Sequence, residues 1–260
     1  MQLSGQVVVI TGASSGIGRA TALALAAGHN RIAITARREE LLRETAEAVR
    51  RAGSECLPFT GDAADAAHAD HVVAEVTARW GRVDIALLNA GGGVVCNTLT
   101  ATREKLLGCM RSNYDTMITF FVPLLAQMRR QDRRCLLAHV NSLAGYFGIP
   151  MQADYNAAKG AARVFIDAAR MELRHFGVKH VRLQTIHPGF VDTAAVHGGG
   201  NPLPFLMSPD EAARRILAGF VSEKPENRFP LPTAVAVRVG RLAPRWLRTR
   251  VLLASVPREY

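Results

Sequence analysis

A short, uncharged and β-branched run at Val7–Thr11 predicts a strand covered on both faces, since a half-exposed strand would alternate with polar residues. Read the same way, the rest of the chain alternates strands with helices. A helix is expected over 17–27, a strand over 31–36, and a helix over 39–52 with its charges on one side and Leu41, Leu42, Ala46 and Val49 on the other. A third strand at 55–60, a helix at 66–80 and a fourth strand at 84–88 follow. One long helix, bent near Pro123, is expected over 103–130. Strands at 135–141 and 180–186 flank a helix over 154–176. Ser208-Pro209-Asp210-Glu211 supplies a cap residue, a proline at the first helical position and early acids, so a helix runs over 208–222, and a weak seventh strand lies at 228–231.

Strand–helix–strand units of this length imply a parallel sheet with helices on both faces, wound outward in both directions from its middle. Ligands of such sheets bind at the carboxyl ends of the strands. No linker, repeat or low-complexity block divides the chain, so residues 1–231 read as one domain. Residues 232–260 read as a basic amphipathic extension rather than a second domain.

Composition narrows the class. No apolar run approaches the ~20 residues that a membrane-spanning helix needs. The start, Met1-Gln2-Leu3-Ser4-Gly5-Gln6, lacks the basic and apolar regions of a signal peptide, and Cys56, Cys96, Cys109 and Cys135 form no CxxC pair. A cytoplasmic location with reduced thiols is the expectation. The net charge of +10 invites a nucleic-acid partner, but its distribution argues against one. Seven arginines and one acid, Glu259, fall between Arg228 and Tyr260, and the remainder is near balance without a basic stripe interleaved with aromatics. The eight histidines show no metal-ligand spacing, so no metal is expected, and His187 reads as a loop residue.

Two stretches carry chemistry. Thr11-Gly12-Ala13-Ser14-Ser15-Gly16-Ile17-Gly18 stands where the first strand meets the first helix. Glycines there let the backbone approach a pyrophosphate, whose charge meets the amino end of the helix. A glycine triplet alone is weak evidence; its place between a buried strand and a helix opening strengthens it. Further on, Tyr155-Asn156-Ala157-Ala158-Lys159 sets a phenol and an ammonium four residues apart on one helical face, thirteen residues after Ser142. A phenol that titrates near ~10 is a poor acid–base catalyst at neutral pH, and a nearby cation would draw it toward its working range. Alone, such a pair is more often two surface neighbours.

Together these motifs resemble the short-chain dehydrogenase/reductase family, through about Ser222. The Thr-Gly-x-x-x-Gly-x-Gly turn, Asn89-Ala90-Gly91, Asn113, Ser142, Tyr155 with Lys159, and Pro188-Gly189 stand in the family's order and spacing. The resemblance implies a Rossmann-type α/β fold and a carbonyl–alcohol oxidoreductase. Tyr155 would be its acid/base, and Lys159 would lower the Tyr155 pKa and hold the nicotinamide ribose. Ser142 would polarise the carbonyl and Asn113 would hold a water behind Lys159. Gly12, Ser14, Ser15, Gly16, Ile17 and Gly18 would cradle the cofactor, with Asp62 and Ala63 near the adenine and Asn89, Ala90 and Gly91 along the adenosine. Pro188, Gly189, Val191 and Thr193 would cover the nicotinamide. The family usually carries two asparagines before Ala-Gly; Leu88 replaces the first, which implies a lost supporting hydrogen bond at most. Family members are dimers or tetramers packed through the helices around 103–130 and 154–176.

The end of the second strand reads Thr35-Ala36-Arg37-Arg38. An acid there would accept the ribose hydroxyls of NAD(H), whereas arginine pairs with the 2′-phosphate of NADP(H), so NADP(H) is preferred and NAD(H) is second. The segments 143–151 and 190–207, expected to face substrate, are apolar and suggest a lipophilic carbonyl or alcohol. Reduction of a 3-oxoacyl group on a carrier protein is the alternative, and a non-catalytic NADP-binding regulator or scaffold is the alternative of another class. In the tail, Arg238, Arg241, Arg245 and Arg248 share one helical face and Val235, Val239, Leu242, Trp246 and Leu253 another, with Pro244 dividing the helix. That tail folds over the cleft or a neighbouring subunit with its arginines solvated, the favoured expectation, or it lies on an anionic membrane surface as a peripheral contact.

Overall fold

The first strand, β1 (Val7–Thr11), is buried along its whole length and lies in the middle of the sheet. In the computed structural model, residues 1–93, 95–193, 205–254 and 256 are described. Beside β1, the strands are β2 (Arg31–Ala36), β3 (Glu55–Thr60), β4 (Ile85–Leu88), β5 (Cys135–Val140), β6 (Val181–Pro188) and β7 (Glu226–Phe229). Among the described residues they form one seven-stranded parallel sheet in the order β3-β2-β1-β4-β5-β6-β7.

Side-chain alternation divides the core into two layers. Val7, Val9, Ala86, Leu88 and Leu137 point to one side, where Val72, Val76, Phe120, Leu124 and Ile166 meet them. Val8, Ile10, Ile85, Leu87 and Leu136 point to the other, against Leu25, Leu42, Ile216 and Phe220. The helices supplying these layers are α1 (Gly16–Ala26), α2 (Glu39–Arg51) and α7 (Pro209–Ser222) on one face. On the other face lie α3 (Ala66–Trp80), α5 (Thr116–Arg129) and α6 (Ala153–His175). Strand order reverses between β1 and β4, which opens a crevice at their carboxyl ends.

Local signals account for several boundaries. The Asp65 side chain accepts from the Ala67 amide to start α3, Ser208 accepts from Glu211 to start α7, and Gly81 ends α3 in the left-handed region. The expected helix over 103–130 is broken, though not at Pro123. It comprises α4 (Arg103–Met110), a π-helical turn at Arg111–Asp115 and then α5, with Pro123 inside. The Asn113 side chain explains the turn: its Nδ2 donates to the Cys109 carbonyl, the acceptor that a regular turn would give to the Asn113 backbone N–H. The last strand ends at Phe229, earlier than expected, because Pro230 has no N–H to extend the ladder. Two helices follow, α8 (Leu231–Leu242) and α9 (Arg245–Leu253), divided at Pro244.

The end of the sheet opposite the crevice is tied by Asp84. Its buried carboxylate accepts from the Val7 amide at 2.8 Å and pairs with Arg82 Nε at 2.9 Å and Arg133 Nε at 2.8 Å. Replacing it leaves these donors facing a void. Asp84→Ala is expected to lower stability by about 2–4 kcal/mol, measured by urea unfolding, while Arg82→Ala alone costs about 1 kcal/mol or less.

Candidate active site

The turn between β1 and α1 is held open by three glycines. A Cβ on Gly12 would stand 2.9 Å from the Ala90 Cα, and on Gly18 2.4 Å from the Gly12 carbonyl. Gly12 and Gly16 also occupy the left-handed region, and a Cβ on Gly16 would meet Thr193 Cγ2 at 2.9 Å. No side chain caps α1 and its first turn holds no acid, so its leading amides are open to an anion. The backbone therefore fits a diphosphate. Asn89 braces the turn, donating from Nδ2 to the carbonyls of Thr11 and Gly12 at 3.1 Å. Ile17 packs against the core beneath the turn.

At the end of β2, Arg38 donates to the hydroxyl of Ser14 at 3.0 Å and to that of Ser15. Arg37 is exposed beside it. Asp62 accepts from the Ala64 amide, which does most to hold its carboxyl below the usual range, and pairs with Arg111 at 3.2 Å. Ala63 turns its side chain into the core, so only its backbone faces this end of the crevice. His68 Nε2 meets Thr35 Oγ1 at 2.7 Å, and its ring fills the space where Gly61 lacks a side chain. The sequence reading did not single out His68, since nothing local couples it to Thr35.

Ser142, Tyr155, Lys159 and Asn113 converge at the ends of β4 and β5. Ser142 follows β5, stands close enough to Tyr155 to act on its phenol, and accepts from the Ala144 amide at 3.1 Å to open the turn Leu143–Tyr146. Burial pushes the Tyr155 phenol up to about 12, against the opposing influence of Ser142. The shift is opposite to the expected lowering, and its cause is the protein packed round the ring, part of whose surface stays in the cleft. Lys159 Nζ stands 5.7 Å from the centre of that ring and donates to the Val140 carbonyl at 3.1 Å. Burial brings Lys159 down to about 8. Asn113 is wholly buried: it donates to the Gly92 carbonyl at 2.7 Å and accepts from the Gly92 amide at 3.0 Å. A Cβ on Gly91 would stand 2.7 Å from Asn113 Oδ1 and 3.4 Å from Lys159 Nζ, which places Ala90-Gly91 between them.

Three supports were not evident from sequence. Asn141 Nδ2 donates to the Lys159 carbonyl at 2.9 Å. Asn156 bonds the Ala144 carbonyl and the Ile149 amide, fixing the apolar loop onto α6. His187 is not a loop residue: it is fully buried in β6, with Nδ1 3.2 Å from the Ser142 carbonyl and Nε2 2.7 Å from Glu226 Oε2. Burial works against ionising Glu226, yet the His187 hydrogen bond and the charges of Arg228 and Arg170 hold its carboxyl below the ordinary value. Pro188 and Gly189 continue β6 to the crevice, where the Gly189 amide donates to the Phe229 carbonyl at 2.7 Å. The Val191 side chain enters the core. Of the apolar segment 190–207, residues 194–204 lie outside the described residues.

A family model for short chain dehydrogenase matches residues 6–200. The chain belongs to the short-chain dehydrogenase family. An uncharacterized oxidoreductase of Myxococcus xanthus is 31% identical over 243 residues, covering 94% of each chain. The solved short-chain dehydrogenase/reductase of Burkholderia phymatum, in complex with NAD, superposes with a TM-score of 0.83 at 20% identity, covering 93% of this chain and 95% of that one. An alcohol dehydrogenase of Thermococcus sibiricus, complexed with 5-hydroxy-NADP, gives a TM-score of 0.73 at 26% identity over 86% of this chain and 95% of that one.

A short-chain dehydrogenase that buries a lysine loses stability by doing so. Because folding lowers the Lys159 pKa from 10.5 to about 8, the folded state resists its charge. The cost is fully present below about 8 and disappears as the pH rises toward the ordinary lysine value. Lys159→Met is expected to gain about 1–3 kcal/mol in urea unfolding at neutral pH without added cofactor, and the gain should shrink as the pH rises from about 8 toward 10.5. A loss of stability at neutral pH would contradict this account.

Proposed function

We propose that the chain interconverts a carbonyl and a secondary alcohol on a lipophilic substrate, using NADP(H), with Tyr155 as the acid/base. The observation that carries this reading is the convergence of Ser142 and Tyr155 beside the buried Lys159 ammonium. A phenol pushed up to about 12 keeps its proton at neutral pH, the state needed to donate to a carbonyl oxygen as it gains charge. Ser142 lends a second hydrogen bond to that oxygen. Lys159 is the nearest cation able to favour the phenolate that remains, and Asn113 fixes the backbone behind it.

The bound cofactor supplies or accepts the hydride. Gly12, Gly16 and Gly18 leave room for its diphosphate, and Lys159 with Tyr155 would meet its nicotinamide ribose. Arg38, poised over Ser14 and Ser15, and Arg37 suit a 2′-phosphate, and no carboxylate stands at the end of β2 to take ribose hydroxyls instead. The apolar turn at Leu143–Tyr146 and the following Phe147 support a lipophilic substrate. We further propose a cytoplasmic homodimer or homotetramer, packed through α5 and α6, where Val122, Val164 and Met171 are exposed. Among the described residues no helix is long and apolar enough to cross a membrane.

Turnover of NADPH against a panel of lipophilic ketones and a 3-oxoacyl thioester tests the reading. Tyr155→Phe is expected to lower kcat by about 10²–10⁴-fold while NADPH still binds in fluorescence titration. Full turnover by that variant sinks the acid/base role, and binding without turnover on any carbonyl selects a non-catalytic regulator. Exchanging Arg37 and Arg38 together for alanine should raise KM for NADPH by about 10–100-fold and leave KM for NADH nearly unchanged.

A further inference from the structure

The two tail helices are turned inside out relative to an ordinary surface helix. On α8 the side facing the protein carries small residues: Gly240 lies against Phe147, and Thr233 against Gly189. The side facing away carries Leu231, Val235, Val239 and Leu242, at steps of four, four and three. These residues are 71%, 50%, 62% and 83% exposed, where a soluble helix would place its polar stripe. On α9, Trp246 is 68% exposed, with Val251 and Leu253 also open to solvent. Neither helix buries any residue.

Charge says what covers this face. From Arg228 to Leu253 the chain holds six arginines and no acid. Arg241 and Arg248 turn inward, over the rings of Tyr146 and Phe147 at 5.0 Å and 5.4 Å. Arg238, Arg245 and Arg250 are exposed beside the apolar stripe. A second copy docked through the same face about a two-fold axis would bring these cations against one another, with no carboxylate on α8 or α9 to offset them. An anionic lipid surface offers both an apolar layer for the leucines, valines and tryptophan and negative headgroups for the arginines.

We propose that α8 and α9 form a peripheral membrane-docking surface that seats the chain on anionic bilayers. The inner face of the same helices holds the loop Tyr146-Phe147, so docking sets the mouth of the crevice beside the lipid. The inner side of the tail lies over the Tyr146-Phe147 loop, with Arg241 and Arg248 against the rings rather than solvated as expected, and its outer side is the one given to lipid.

Co-sedimentation of the full chain with vesicles of phosphatidylcholine, alone or mixed with phosphatidylserine, tests this at about 0.1 M salt. Binding to the mixed vesicles is expected, with a blue shift of tryptophan emission that Trp246→Phe abolishes; the other tryptophan, Trp80, is buried in the core. Exchanging Arg238, Arg245 and Arg250 together for glutamine removes three charges, each worth about a factor of five at such a surface, and should weaken partitioning about a hundredfold. Leu242→Glu, on the most open residue of the stripe, should weaken it about tenfold or more without changing NADPH binding, which checks folding. Failure to bind the mixed vesicles, or binding that Leu242→Glu leaves intact, overturns the proposal. So does a dimer in light scattering that Leu242→Glu splits, which would give the face to a second copy.

Discussion

Strands β1 and β4 meet where the strand order reverses, and one residue pair sets how their ends part. Thr11 Oγ1 accepts from the amides of Asn89 and Ala90, both at 3.0 Å, while the Asn89 amide group returns bonds to the Thr11 and Gly12 carbonyls. The Asn89 and Ala90 amides and the Thr11 and Gly12 carbonyls are thereby paired where the two strands part. The glycine turn is held on one side of the pair and the Ala90-Gly91 backbone on the other, and the crevice between them inherits their spacing. Loss of this reciprocal clamp would let the glycine turn and the Ala90-Gly91 backbone drift independently. Leu88, in the position that the family usually gives to a further asparagine, instead lends its side chain to the core and leaves the clamp intact.

The electrostatics of the site follow from burial more than from pairing. Lys159 has no carboxylate partner in its hydrogen bonding, only the Val140 carbonyl. His139, enclosed within β5 below it, is pushed well down by burial, with the Lys159 charge acting in the same direction, and so stays neutral. Cys109, on the other side, is pushed up to about 11 by burial and stays a thiol. The Val140 carbonyl, His139 and Cys109 around the ammonium are thus polar but uncharged. Such a cation is unsatisfied until an anionic or hydroxyl-rich ligand arrives, which makes its discomfort useful.

Much of this was legible in the residues themselves. The run Val7–Thr11 read as a doubly covered strand, and the glycines between it and a helix opening as a close approach of backbone. Tyr155 and Lys159 declared their shared face by spacing. Other features depended on partners that are distant in sequence. The π-helical turn arises because the Asn113 side chain competes for the Cys109 carbonyl, a contest that periodicity does not record. His187 looked like a loop residue because its partner, Glu226, lies 39 positions away on a strand with almost no hydrophobic pattern. The tail showed the same limit in another form. Spacing identified which of its residues share a face, but which side turns inward is seen only from the contacts of Gly240 with Phe147 and Thr233 with Gly189.

The line from Glu226 through His187 to the Ser142 carbonyl has a structural consequence for the edge of the molecule. Strand β7 contributes little to the core, yet its glutamate grips the histidine that steadies the loop carrying Ser142, and its arginine, Arg228, reaches the Tyr146 hydroxyl at 2.8 Å. The sheet's outermost strand is therefore part of the frame of the reaction centre. The smallest segment that preserves the geometry around Ser142 extends to Phe229, well past Lys159 in sequence.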